Sequence, residues 1–176
     1  MRPAPSLALL LPLVLFAAPG AAQHRGHDHA PGAPSDAHAR VQAYAEEHDA
    51  VIASGRGFGM AFAADQHGYP GPMHVLELKD LLRLTPEQEA RMQALMHAMF
   101  AESRPKSARL LELEARLRAL FASGTADEAR VRAAVADVEG ARAEVRLVHL
   151  LAHVKTREVL TEAQRTAYHA ARWPDR

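Results

Sequence analysis

A five-residue pattern occurs twice in this chain and limits what it can fold into more than any other feature. Leu84-Thr85-Pro86-Glu87-Gln88 and Leu160-Thr161-Glu162-Ala163-Gln164 both read Leu-Thr-x-x-Gln. Each has the chemistry of a helix start. The threonine hydroxyl can accept a hydrogen bond from a free amide of the first turn. The glutamine three residues on can reach back to the threonine amide, which closes a capping box. Pro86 falls at the first helical position, where its missing donor costs nothing. One such box is commonplace; two, placed before and after a long stretch of helical periodicity, predict a helical hairpin with further helix beyond it.

The apolar spacing fills in that hairpin. Met92, Leu95, Met96, Met99 and Phe100 form a stripe after the Thr85–Gln88 box. Pro105 predicts a kink or break near Ser103 or Arg104. Helix resumes through Leu110, Leu113, Leu117, Leu120 and Phe121 and stops at Ser123-Gly124. Thr125-Ala126-Asp127-Glu128 reads as a third capping box. It opens a helix to about Val159, roughly 50 Å long at 1.5 Å per residue. The apolar face of that helix is Val131, Val135, Val138, Ala141, Val145, Val148 and Ala152. The Thr161–Gln164 box then starts a last short helix to about Ala171. Upstream, residues 36–54 and 73–82 carry helical spacing on either side of a Gly- and Pro-rich loop, 55–72. No alternating pattern is long enough for a sheet. The expected fold class is all-α: an antiparallel long helical hairpin with short flanking helices. A core this limited leaves apolar stripe uncovered, so a homodimer is expected.

The N-terminus predicts export. Met1-Arg2 precedes an apolar run from Leu7 to Ala18, and Ala21-Ala22 supplies small residues for cleavage. This is a signal peptide over 1–22; the run is short for its alternative, an uncleaved anchor. Residues 23–35 form a His-rich tail expected to be disordered. Residues 36–72 hold the first helix and the loop, and 73–173 the domain with the two boxes. There is no cysteine, so stability must come from helix packing alone. Lys+Arg and Asp+Glu both number 21, which gives no reason to expect nucleic acid. No nucleophile elbow, phosphate loop or His-Glu-x-x-His is present, and Gly57-Phe58-Gly59 is an isolated glycine pair; no enzymatic activity is expected.

Histidine is the one marked excess, at 11 residues. His149 and His153 stand at i and i+4, so both imidazoles can converge on one ion; the plainer alternative is two histidines bordering the core. His24, His27 and His29, with His38, form a flexible cluster suited to loose metal capture. The Met92/Met96/Met99 stripe suggests copper at first sight but reads better as core.

Two Leu-Thr-x-x-Gln boxes flanking a hairpin in an exported chain resemble the Spy/CpxP family of periplasmic proteins. That family includes ATP-independent chaperones, zinc-resistance-associated proteins and nickel/cobalt sensors. Leu147-Val148-His149-Leu150-Leu151-Ala152-His153, just before the second box, is similar to the sensor branch, where a His-x-x-x-Met pair supplies two metal ligands. The resemblance puts His149 on the histidine and replaces the methionine with His153. An imidazole in place of a thioether favours zinc, nickel, cobalt or copper(II) over copper(I). The same resemblance implies ligands from the helices before and after the first box. His74 and His97 are placed for this; Glu77 stands in for a missing second histidine, and the sensor's glutamate falls near Met96 or His97. It further implies a metal-sensing, sequestering or resistance role; sensing would act through a membrane-bound signalling partner, and sequestration would need none. The rival reading is a chaperone that holds unfolded clients on a Met/Leu stripe edged by Arg83, Arg91, Arg104, Arg109, Arg116 and Arg118. Proton competition at ordinary imidazoles predicts that metal affinity falls between about pH 7.5 and 5.5.

Overall fold

The computed structural model of the protein describes residues 36–174. The signal segment and His24, His27 and His29 lie outside the described residues. Six helices follow in order: α1 Asp36–Ala53, α2 Phe62–Asp65, α3 Pro72–Glu77, α4 Pro86–Ala122, α5 Glu128–Val159 and α6 Glu162–Arg172. No strand occurs among the described residues, and none of these helices is long and apolar enough to cross a membrane.

α4 and α5 pack along their lengths as an antiparallel pair. Met99 meets Val148 and Ala152 near one end, and Leu110 and Leu113 meet Val145 and Val138 further along, so positions rise on one helix as they fall on the other. Ile52 brings α1 onto Leu110 and Leu113. At the other end Val75, Leu82, Met92, Leu160 and Tyr168 close a second cluster beneath α3 and α6. Ile52, Val75, Met92, Leu110, Val145 and Tyr168 are all fully enclosed. Each of the aliphatic ones contributes about 1.5–3 kcal/mol by leaving water.

Both Leu-Thr-x-x-Gln motifs are reciprocal capping boxes. Gln88 N donates to Thr85 Oγ1 at 3.2 Å and Thr85 N to Gln88 Oε1 at 3.1 Å. The corresponding Gln164–Thr161 and Thr161–Gln164 bonds are 3.3 and 2.9 Å. The two boxes also bond to each other. Gln88 Nε2 donates to Gln164 Oε1, and Gln164 Nε2 to Gln88 Oε1, both at 2.9 Å. The second proton of each amide reaches a main-chain carbonyl, Val159 at 3.0 Å and Leu82 at 3.2 Å respectively. Every donor and acceptor of both side-chain amides is thereby used. The repeat is a clasp between the starts of α4 and α6 as well as two helix caps.

Three local expectations are corrected. Pro105 does not break the helix: α4 runs unbroken from Pro86 to Ala122. Ser103, Ser107 and Leu110 are buried on either side of it, whereas Pro105 and Ala101 are exposed, so water can take the carbonyl that Pro105 leaves without a donor. The cap of α5 is Asp127, whose carboxylate accepts from Arg130 N at 2.9 Å, and Thr125 instead meets Ser123 Oγ at 2.8 Å. A carboxylate at the positive end of a helix outcompetes a neutral hydroxyl. The 73–82 helix ends at Glu77 and continues only as bonded turns to Leu82, and the loop before it contains the single turn α2. Met92 and Met99 are core, while Leu147, Leu151 and Val154 form an unanticipated exposed apolar stripe on α5.

Candidate metal centre

His149 and His153 lie on the face of α5 that turns inward, at 5% and 7% exposure. The segment 55–72 wraps over them. Gly57 presses against the His149 ring so closely that a Cβ there would stand 2.8 Å from Cδ2 and 3.1 Å from Nε2. Gly71 does the same to His153, with a Cβ position 2.8 Å from Nε2. Neither glycine has a positive φ, so the lack of a side chain, rather than backbone freedom, is what these positions require. Phe58 between them does adopt φ 35°, a left-handed conformation uncommon for a bulky residue, and its ring packs edge-on against Tyr44 and His48.

The tautomer of His153 follows from its partner. Nδ1 lies 2.6 Å from the Tyr69 carbonyl, which can only accept, so Nδ1 carries the proton and Nε2 keeps its lone pair. Histidines that hold metals are oriented by this kind of bond. His149 Nε2 is buried with no hydrogen-bond partner. Burial, reinforced by the neighbouring His153 and only partly opposed by the Gly55 backbone, pushes the His149 pKa down to about 4. Burial lowers His153 as well, against the pull of the Tyr69 carbonyl. Both rings are therefore neutral, and proton competition at His149 sets in well below the pH window expected of ordinary imidazoles.

The two rings line a partly open cavity of about 190 Å³ whose other walls come from the loop, α3 and α4. His74 lines it too, but its nitrogens are occupied. Arg172 Nη2 donates to His74 Nε2 at 3.1 Å, so Nδ1 bears the proton and donates to Glu77 Oε2 at 2.9 Å. Arg172 also bonds Asp65 Oδ2 through Nε at 3.1 Å, and Tyr168 Oη donates to Asp65 Oδ1 at 2.6 Å. Burial and the Asp65 carboxylate hold the Tyr168 phenol far above its ordinary pKa, so it remains a donor. This network ties α6 to α2 and α3 beside the cavity.

The expected ligands thus divide. His149, His153 and His74 come together, and Glu77 reaches the site only as the partner of His74. His97 is exposed on α4, and neither it nor Met96 lines the cavity. One turn further along α4, Met99 and Phe100 take the positions facing it. Among the described residues no group of three or more His, Asp or Glu side chains is placed to hold one ion. Gly57, Gly71, Tyr69, Asp65 and Arg172 shape the site without a local sequence signal, since each acts through a residue more than 80 positions away or through close approach alone.

A family model for heavy-metal resistance matches residues 50–167. The chain belongs to the heavy-metal resistance family. The matched span takes in both capping boxes, the hairpin and the buried histidine pair. Comparison with curated proteins and with solved structures finds no match. Two neutral donors are available to an ion here: a buried imidazole nitrogen without a partner and a second with its lone pair free, each ring lying against a glycine that carries no side chain.

Proposed function

We propose that this heavy-metal resistance family member binds a transition-metal ion in the periplasm through His149 and His153, and that it acts by sensing or sequestering the ion and not by catalysis. The observation that carries this reading is the unpartnered His149 Nε2, buried beside an imidazole whose tautomer leaves Nε2 open. Leaving such a nitrogen without a bond costs about 1–3 kcal/mol, and coordination would offset that cost. The export signal over 1–22 delivers the chain to the periplasm, and His24, His27 and His29 supply weak capture in addition to the tight site. Leu147, Leu151 and Val154, spaced three and four apart and exposed, support a homodimer. A membrane-bound partner is what a sensor of this kind acts on.

The exposed α5 stripe also supports the rival reading, an ATP-independent chaperone. The methionine stripe supports it less, because Met92 and Met99 are enclosed and only Met96 is half-buried. Calorimetric titration separates the two. The full chain is expected to bind one ion tightly and further ions weakly, and His149→Ala to lose the tight site while keeping the weak ones. Equal tight binding in His149→Ala would refute the site. Undiminished suppression of client aggregation by a variant lacking both histidines would favour the chaperone.

A further inference from the structure

The cavity beside the histidine pair is lined by methionines from three separate elements: Met60 in the loop after α1, Met73 in α3 and Met99 in α4. We propose that these methionines act with His149 and His153 to select a soft monovalent d10 ion, copper(I) or silver(I), over zinc(II), nickel(II) and cobalt(II). The proposal rests on the reading of the histidine pair as a metal centre and specifies what that centre takes.

Three observations support it. The first is the donor set. Zinc, nickel and cobalt favour three or more nitrogen or oxygen ligands, and no such group exists among the described residues. His74 already accepts from Arg172, and the Asp65 carboxylate is taken by Arg172 and Tyr168. What remains is imidazole and thioether, the pairing that suits a soft ion content with few ligands.

The second is charge. The free donors are neutral: the one carboxylate in the lining, Asp65, is held by Arg172 and Tyr168, and Arg56 adds a cation to the same lining. The cost of bringing an ion out of water rises with the square of its charge, so a divalent ion carries about four times the desolvation cost of a monovalent one of equal size. With no anionic ligand to compensate, this setting discriminates against the divalent ions. The third is the wall itself. Phe58, Phe62 and Phe100 line the same cavity, and an apolar lining offers no hydrogen bonds to the water that a divalent ion retains in its shell.

The sequence suggested the opposite preference, since His153 stands where the sensors carry a methionine. The tertiary structure restores sulfur to the site from three positions remote from that helix.

Silver(I) is the probe, because it stays monovalent without a reductant. Methyl NMR of the full chain reports each methionine separately, so His24, His27 and His29 do not obscure the result. One equivalent of silver(I) should shift the ε-methyl signals of Met60, Met73 and Met99, whereas zinc(II) should leave them in place. The triple variant Met60→Leu, Met73→Leu, Met99→Leu keeps the apolar volume. It should bind silver(I) at least tenfold more weakly while melting within a few degrees of the parent. Unmoved methyl signals would overturn the proposal directly on the unaltered protein, whatever the variant does. Zinc(II) bound tightly in a manner dependent on His149, with silver(I) affinity unchanged in the triple variant, would also overturn it and leave the metal centre standing. If no ion binds in a manner dependent on His149, the metal centre itself falls.

Discussion

Acidification of the metal-free protein should unfold it by way of His149. The unfolded imidazole has its ordinary pKa of 6.5, and the folded one is held down at about 4 by burial. Between those values the unfolded chain binds a proton that the folded chain refuses, so stability rises with pH. His149 therefore contributes fully above about pH 6.5, and that contribution is lost as pH falls toward about 4. The whole shift corresponds to about 3 kcal/mol at 1.36 kcal/mol per unit, of which about 2 kcal/mol is gone by pH 5. His153 is shifted in the same direction and adds to the loss. The assay is urea unfolding of chelator-treated protein at pH 7 and pH 5, followed by far-ultraviolet circular dichroism. His149→Gln removes the titrating group while keeping a neutral polar side chain of similar length. The drop in unfolding free energy from pH 7 to pH 5 should be smaller in this variant by about 2 kcal/mol. A drop equal to the parent's would show that His149 is not held neutral by burial, and the account of the site would be wrong.

Three further expectations follow from particular contacts. Gln88→Glu removes the two bonds that Gln88 donates in the clasp and sets a carboxylate against the Val159 carbonyl and Gln164, so it should cost about 2–3 kcal/mol; Thr85→Ala, which loses only a cap, should cost about 1 kcal/mol. Equal melting temperatures for the two variants would argue against the clasp. Gly71→Ala places a methyl 2.8 Å from His153 Nε2, so stability should fall by about 1–3 kcal/mol and the tight metal site should be lost with it; tight binding that survives would mean the ring has room to move. Pro105→Ala supplies an amide to a helix that is already continuous, so it should raise stability by about 1–3 kcal/mol, read as a higher melting temperature.

The sequence by itself determined the elements. Capping chemistry and helical periodicity are local, acting over three or four residues, so the starts at Thr85 and Thr161, the stop at Ser123-Gly124 and the all-helical class are legible in the sequence alone. His149 and His153 were legible for the same reason, since an i, i+4 pair needs only the pitch of a helix to share a face. Local reasoning failed where burial and distant neighbours set the outcome. Pro105 sits in a helix that packing on both sides keeps intact. Asp127 displaces Thr125 because a charge at the helix dipole outweighs a match to a motif. The pairing of Gln88 with Gln164, 76 residues apart, could not be read from either box alone.

The site shows the same division more sharply. That His149 Nε2 is buried without a partner, that His153 has a fixed tautomer and that Met60, Met73 and Met99 line one cavity depend on how loop 55–72 folds over the hairpin, while α6 decides that His74 is occupied by Arg172. That loop has no periodicity to read. Its position is set by glycines thin enough to lie against two imidazole rings and by a buried Asp65 anchored to α6, and those contacts exist only once the chain has closed on itself.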